Sequence, residues 1–235
     1  KMTKDSISNH LLELRNRLLK VIVLFVIFSI IGIPFASDIY GFVADPLIKL
    51  LPTGSSMIAT EVASPFMAPI KLVLYMALLF SMPWLFYQIW MYVSPGLYKN
   101  EKSFTGPLMF STVVLFFSGA AFAFFVVCPI IFKFFIVMAP DSIQVMTDIN
   151  QYLGFIFKLV FAFGIAFEIP IATILLVKSG IATKASLAKA RPYLIILFLV
   201  IGMLLTPPDI FSQLFLAIPM WILFELGILI SRDKN

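Results

Sequence analysis

The sequence predicts an all-α, polytopic integral membrane protein with six transmembrane helices, and three observations predict it. Hydrophobic residues make up 61% of the 235 positions and charged residues only 12%, whereas a soluble domain is about half apolar and about a quarter charged. Nearly charge-free stretches recur, each long enough to cross most or all of about 30 Å of hydrocarbon as a helix. Those stretches are continuous and lack the period-two alternation of barrel strands, so the backbone polar groups must be satisfied within helices.

The spans are expected at about 18–36, 69–93, 107–128, 151–176, 191–206 and 211–231, in a single membrane domain covering 1–235. The first apolar run carries no small-residue cleavage site after it, so it reads as a span and not as a cleavable signal peptide. Segment 37–68 is punctuated by Pro46, Pro52, Gly54 and Pro65. It is still apolar enough, through Phe42, Val43, Leu47, Ile48, Leu50 and Leu51, for a short helix at the interface. Pro107 and Pro192 are expected near the starts of spans three and five, where a missing N–H costs little. Segment 129–150 begins apolar after Pro129 and is expected to cap one membrane face. Asp148, with Gln151 three residues on, resembles a capping box opening span four. Pro83, Pro170 and Pro219 fall inside spans and are expected to kink them. Spans five and six are short. From Pro192 to Thr206 a helix would be about 22 Å long, so the bilayer would thin locally or the span would tilt against protein. Thr206-Pro207-Pro208-Asp209 is expected to form a tight turn between them.

Basic residues set the orientation. With the N-terminus in the cytoplasm, 13 of the 17 basic residues fall inside, among them Arg15, Arg17, Arg191 and Arg232. Lys49, Lys71, Lys133 and Lys158 fall in outside segments or span ends. Both termini are therefore expected in the cytoplasm. The net charge of +5 is explained by this asymmetry, without nucleic-acid binding.

Little in the chain supports catalysis or a cofactor. One cysteine, Cys128, leaves no disulfide framework and no cysteine-rich metal site. The one histidine, His10, precedes the first span and leaves no multi-histidine site, no H-E-x-x-H and no serine–histidine pair within the membrane. No glycine-rich phosphate loop occurs. Three carboxylates stand out instead. Glu13 lies in an amphipathic entry helix and has Arg17 one turn on, so an ordinary i,i+4 pair competes with any binding role. Glu101 lies in the segment joining spans two and three, where a solvated loop charge is the plain alternative. Together the two are suited to a doubly cationic ligand. Glu168 lies deep in span four beside Pro170, and an acid at mid-membrane costs about 2.5–3.5 kcal/mol on insertion scales. Desolvation penalises its charged form, so it is expected to be mostly neutral and to donate a hydrogen bond. Glu225, nearer one end of span six, is expected to reach the interface.

Four segments, taken in order, resemble one family. They are Leu11-Leu12-Glu13-Leu14-Arg15-Asn16-Arg17-Leu18, Ser94-Pro95-Gly96-Leu97-Tyr98 to Glu101, Ala162-Phe163-Gly164-Ile165-Ala166-Phe167-Glu168-Ile169-Pro170, and Leu205-Thr206-Pro207-Pro208-Asp209 with Gln213. The chain is similar over nearly its whole length to the TatC family, the multispan core of the twin-arginine protein translocase. The resemblance implies a receptor, not an enzyme, with no cofactor and no metal. It implies binding of twin-arginine signal peptides of folded cargo at the cytoplasmic face, through Glu13 and Glu101 with Arg17, Tyr92, Pro95 and Leu97 nearby. It implies an intramembrane polar and partner site at Glu168 and Pro170, and a partner-contact region at Thr206, Pro207, Asp209 and Gln213. It further implies TatA- and TatB-type single-span partners, homo-oligomeric assembly, transport driven by the proton-motive force, and the bacterial cytoplasmic (inner) membrane. Tyr92 stands where the family usually has Phe, and Gly96 and Asn100 replace commoner Ala and His; neither carboxylate is lost.

The competing classes are a secondary transporter using Glu168 as carrier and a structural scaffold. Against a transporter stand the lack of an internal repeat and the scarcity of other mid-membrane polar residues.

Overall fold

The computed structural model describes residues 4–49, 57–97, 102–138, 140, 146–206 and 210–231. Nine α-helices are found among them: α1 (Lys4–Gly32), α2 (Ala36–Ile48), α3 (Ser64–Leu97), α4 (Lys102–Phe122), α5 (Cys128–Met138), α6 (Ile149–Ala166), α7 (Ile169–Lys178), α8 (Lys184–Leu205) and α9 (Ile210–Ile230). They form six continuous stretches long and apolar enough to cross a membrane: Leu12–Pro46, Ser64–Tyr92, Gly106–Met138, Ile149–Lys178, Lys184–Leu205 and Ile210–Ile230. The last two are the shortest, at 22 and 21 residues, but at 1.5 Å per residue each is about 32 Å long and can cross the hydrocarbon, so the 22 Å expected of span five is too short.

Three helix limits differ from the sequence expectation. Span three does not end at Cys128. A five-residue π segment, Ala123–Val127, joins α4 to α5, and the helix runs on to Met138. The wide turn lies immediately before Pro129, whose missing N–H interrupts the α-helical hydrogen-bond register, and the helix continues past it. Span five does not open at Pro192 but two turns earlier, at Lys184, where Thr183 and Ser186 form a reciprocal capping box. Two satisfied orphan amides there outweigh a proline inside the helix. Pro107 likewise lies inside α4 and not at its start. Span one continues through a 3₁₀ turn at Ile33–Phe35 into α2, which carries Phe42 and Val43. Leu50 and Leu51, also expected in that helix, lie outside the described residues.

Two local features match the sequence. Asp148 caps α6, its side chain accepting from the amides of Asn150 and Gln151, which is the N-cap half of the expected capping box. Pro170 interrupts span four, so α6 ends at Ala166 and α7 begins at Ile169.

The chain divides into two compact units, residues 1–43 with 65–113, and 44–64 with 114–235. In the first, α1 approaches α3 closely: a Cβ at Gly32 would meet the Val73 side chain at 2.7 Å. The indole of Trp90 donates to Thr112 on α4 at 3.2 Å, a buried bond. In the second unit, one buried cluster is Ala166, Phe198, Ala217, Met220, Phe224 and Ile228. Here too small residues set the approach. A Cβ at Gly164 would strike Phe116 at 2.6 Å, and one at Gly227 would lie 2.9 Å from the backbone of Pro170. Among hydrocarbon-solvated helices burial of a leucine brings little transfer energy, so close backbone contact and hydrogen bonds carry the association. The same reasoning accounts for the many exposed apolar side chains, such as Ile30, Phe66, Phe110 and Leu229.

Candidate functional site

The site at the start of span one is built on helical spacing. Glu13 and Arg17 are one turn apart on α1, and the Arg17 Nη2 lies 2.5 Å from Glu13 Oε1, with Nε donating to the same oxygen at 3.1 Å. The pairing read from i,i+4 spacing is thus present. More is present than spacing shows. Arg17 Nη1 donates to Oε1 of Gln88 on α3 at 3.3 Å, and Nη2 reaches the carbonyl of Met91 at 3.5 Å. Gln88 itself is buried. The Arg17 side chain is consequently only 19% exposed, whereas the Glu13 side chain is 45% exposed. The arginine is locked between two helices, and the acid it holds faces outward.

An apolar groove of about 80 Å³ lies beside this pair, walled by Leu14, Leu18, Val21, Leu85, Ile89 and Tyr92 together with Arg17 and Gln88. Glu13, Arg17 and Tyr92 are therefore brought to one place. Pro95 and Leu97 lie in the last turns of α3. Glu101 lies outside the described residues. Sequence reasoning missed Gln88; its signal was an amide within an otherwise apolar span.

The second site is the break in span four. The Glu168 amide donates to the Ile165 carbonyl at 3.0 Å, and its own carbonyl accepts from Ala172 at 2.9 Å. Pro170 cannot donate to Ala166, which leaves that carbonyl without its usual helical donor. Glu168 is half-buried, with Oε1 inaccessible. Pro170 is buried against α9 at Gly227.

In the spans five–six hairpin, Thr206 ends α8 and its hydroxyl donates to the Gly202 carbonyl at 2.9 Å. Gln213 Nε2 donates to the Leu199 carbonyl at 2.7 Å, so the amide bridges α9 to α8. Pro207 and Asp209 lie outside the described residues.

Two further polar constellations escaped the sequence reading. Arg191 on α8 holds Glu225 on α9 through both nitrogens of its fork, Nε to Oε1 at 2.6 Å and Nη2 to Oε2 at 2.8 Å. Glu225, expected to reach the interface, is held in this pair. In the second unit Met57–Ile58 pairs in parallel with Thr147–Asp148, and Asp148 accepts from the amide and hydroxyl of Thr60 at 3.1 and 2.6 Å. Asn150 donates to Ser64 beside it. The hydrogen bonds from Thr60, foremost its hydroxyl, and from the Gln151 and Asn150 amides hold the Asp148 carboxyl below the usual carboxylate range.

These features define a polytopic helical membrane protein whose polar groups gather at a span start, a helix break and a hairpin. A family model for the Sec-independent protein translocase protein (TatC) matches residues 9–219, and the chain belongs to that family. The Sec-independent protein translocase protein TatC of Haemophilus influenzae is 50% identical over 95% of this chain and 87% of its own length. That of Escherichia coli K12 is 50% identical over 95% and 86%. A crystal structure of the twin-arginine translocase receptor TatC superposes with a TM-score of 0.84, at 36% identity, covering 94% of this chain and 96% of that one. A second, of the receptor in DDM, gives 0.86 at 34% identity over 95% and 99%.

Proposed function

We propose that this chain is the receptor and core component of a twin-arginine translocase, binding the signal peptides of folded proteins at the cytoplasmic face of the bacterial inner membrane and not acting as an enzyme. The observation that carries the reading is the Glu13–Arg17–Gln88 cluster: an outward-facing carboxylate, fixed from behind, beside an apolar groove. A signal peptide presents the complement, a pair of guanidinium groups next to an apolar stretch. Arginine offers a planar fork of donors that stays charged, which suits carboxylates better than lysine. Glu101 is assigned as the second acid, and Tyr92, Pro95 and Leu97 as further members of the binding surface. Glu168 with Pro170, and Thr206, Pro207, Asp209 and Gln213, are assigned to TatA- and TatB-type single-span partners in a homo-oligomeric assembly that uses the proton-motive force. The basic-residue asymmetry supports both termini in the cytoplasm.

A photo-crosslinking residue at Leu14 tests the receptor and its sidedness together. A twin-arginine peptide supplied to inverted membrane vesicles should crosslink, and the same peptide supplied to right-side-out vesicles should not. Crosslinking from the outer face alone would reverse the topology. No specific crosslink from either face would leave the scaffold or transporter class in its place.

A further inference from the structure

Apart from every site assigned above except Thr206 at its rim, the second unit contains a cleft of about 590 Å³ among the ends of α5, α6 and α8. One face of α6 forms its floor. Gln151, Gly154 and Lys158 line it at helical spacing, Phe132 and Phe155 wall it, and Thr206 closes one side. Lys158 lies within a membrane-spanning stretch, about 13 Å along the helix from Ile149, where an ammonium is costly unless something answers its charge. Among the described residues it forms no ion pair and no hydrogen bond, and no carboxylate lines the cleft. Asp148 and Glu168 are the nearest acids in sequence, each ten residues from Lys158 and about 15 Å along the helix axis, and Asp148 is already engaged by Thr60, Asn150 and Gln151.

The direction of the lysine is set by the helix. Side chains lean toward a helix's N-terminus, so the Lys158 stem runs over Gly154 toward Gln151. Gly154 leaves that path open: a Cβ there would meet nothing within 4 Å. A mid-helix glycine costs about 1 kcal/mol relative to alanine, and here no close backbone contact requires it. Its effect is room.

We propose that this cleft binds one anionic glycerophospholipid, its phosphate held by Lys158 and Gln151 and an acyl chain lying against Phe132 and Phe155. A cation with no carboxylate among the described residues of its cleft complements a net negative headgroup better than a zwitterion. Aromatic walls exclude a purely water-soluble anion. The lining on α6 runs from Asn150 to Lys158, about 12 Å of helix. That is less than half the hydrocarbon thickness, which fits one leaflet's lipid and not a spanning partner helix.

Native mass spectrometry of the detergent-solubilised protein, titrated with phosphatidylglycerol or phosphatidylcholine, tests this without any signal peptide, so it stands or falls apart from the receptor reading. The parent should retain one tightly held phosphatidylglycerol in preference to phosphatidylcholine. Lys158→Gln should weaken that event about tenfold, as loss of one charged contact does. Gly154→Leu fills the cleft, favours the helix and keeps the charge, and should weaken it comparably. Lys133→Gln, an exposed cation of α5 that does not line the cleft, should leave it unchanged. Unaltered retention in Lys158→Gln and Gly154→Leu, equal retention of phosphatidylcholine, or full displacement by glycerol phosphate would each overturn the proposal.

Discussion

Two arginine–glutamate pairs in this chain are built in opposite senses. In Glu13–Arg17 the partners are one turn apart, the arginine is sequestered by Gln88 and Met91 of a second helix, and the acid remains 45% exposed. In Arg191–Glu225 the partners lie on different helices, both oxygens of the acid are taken by the fork, and the acid is only 22% exposed while its arginine is 44% exposed. The first geometry leaves a carboxylate half exposed at the surface. The second uses a carboxylate up in holding α8 to α9. An ion pair is thus no indicator of function by itself; what matters is which partner the fold covers.

The largest effect should come from removing the two acids proposed to meet the signal peptide. Glu13→Gln and Glu101→Gln should each weaken binding of a twin-arginine peptide about three- to tenfold, discounting a charged hydrogen bond for exposure. The double variant should lose more, and a twin-lysine peptide should bind poorly to the parent. Peptide titration by fluorescence anisotropy reads this. Unchanged affinity in a folded double variant would break the distinction at its functional end.

Glu168 extends the comparison to an acid at a helix break, with Oε1 covered and Pro170 leaving a carbonyl nearby. If it acts as a neutral donor, Gln preserves it and Ala does not. Copurification of a TatA- or TatB-type partner should fall roughly three- to tenfold for Glu168→Ala, the scale of one hydrogen bond between spans, and stay near the parent for Glu168→Gln. Equal damage from both would mean that a charge or a transferable proton is needed at Glu168, which favours the transporter-like role.

Glu225→Gln tests the covered pair. It should lower Tm by about 2–4 °C, as a loss of about 1 kcal/mol does in a chain of this size, and leave peptide affinity at the parent value. Weakened peptide binding with unaltered Tm would invert the comparison.

The contrast also explains what the sequence disclosed. The Glu13–Arg17 pair, the Asp148 cap and the Pro170 break are local: each depends on residues within a turn, and spacing reveals them. Arg191 and Glu225 are 34 positions apart, and Arg17 and Gln88 are 71 apart; only packing brings them together. The Thr183 cap was legible in principle, since Thr and Ser at that spacing is a capping signal, but Pro192 drew the helix start toward itself. The π segment before Pro129 leaves no mark in composition, because it is a change of hydrogen-bond register in an apolar run.

Asp148 supplies the smallest and most exacting test, since it is an acid wholly occupied by its own fold. Its partners are the Thr60 hydroxyl and amide and two amides of its own helix, and they hold its carboxyl below the usual range. A lowered folded-state value means the carboxylate form stabilises the fold above the unfolded-state value, and that this contribution disappears as pH falls through the folded-state one. Asp148→Asn keeps one acceptor oxygen and loses the charge. The parent should therefore exceed Asp148→Asn in thermal stability by a constant margin from about pH 8 to about pH 5, narrowing only below about pH 4. The substitution should not alter peptide affinity, because this acid is engaged within its own fold. A margin that already closes between pH 7 and pH 5 would show that the clamp titrates in the working range. The separation between acids that hold the fold and acids that meet a ligand would then need a third category.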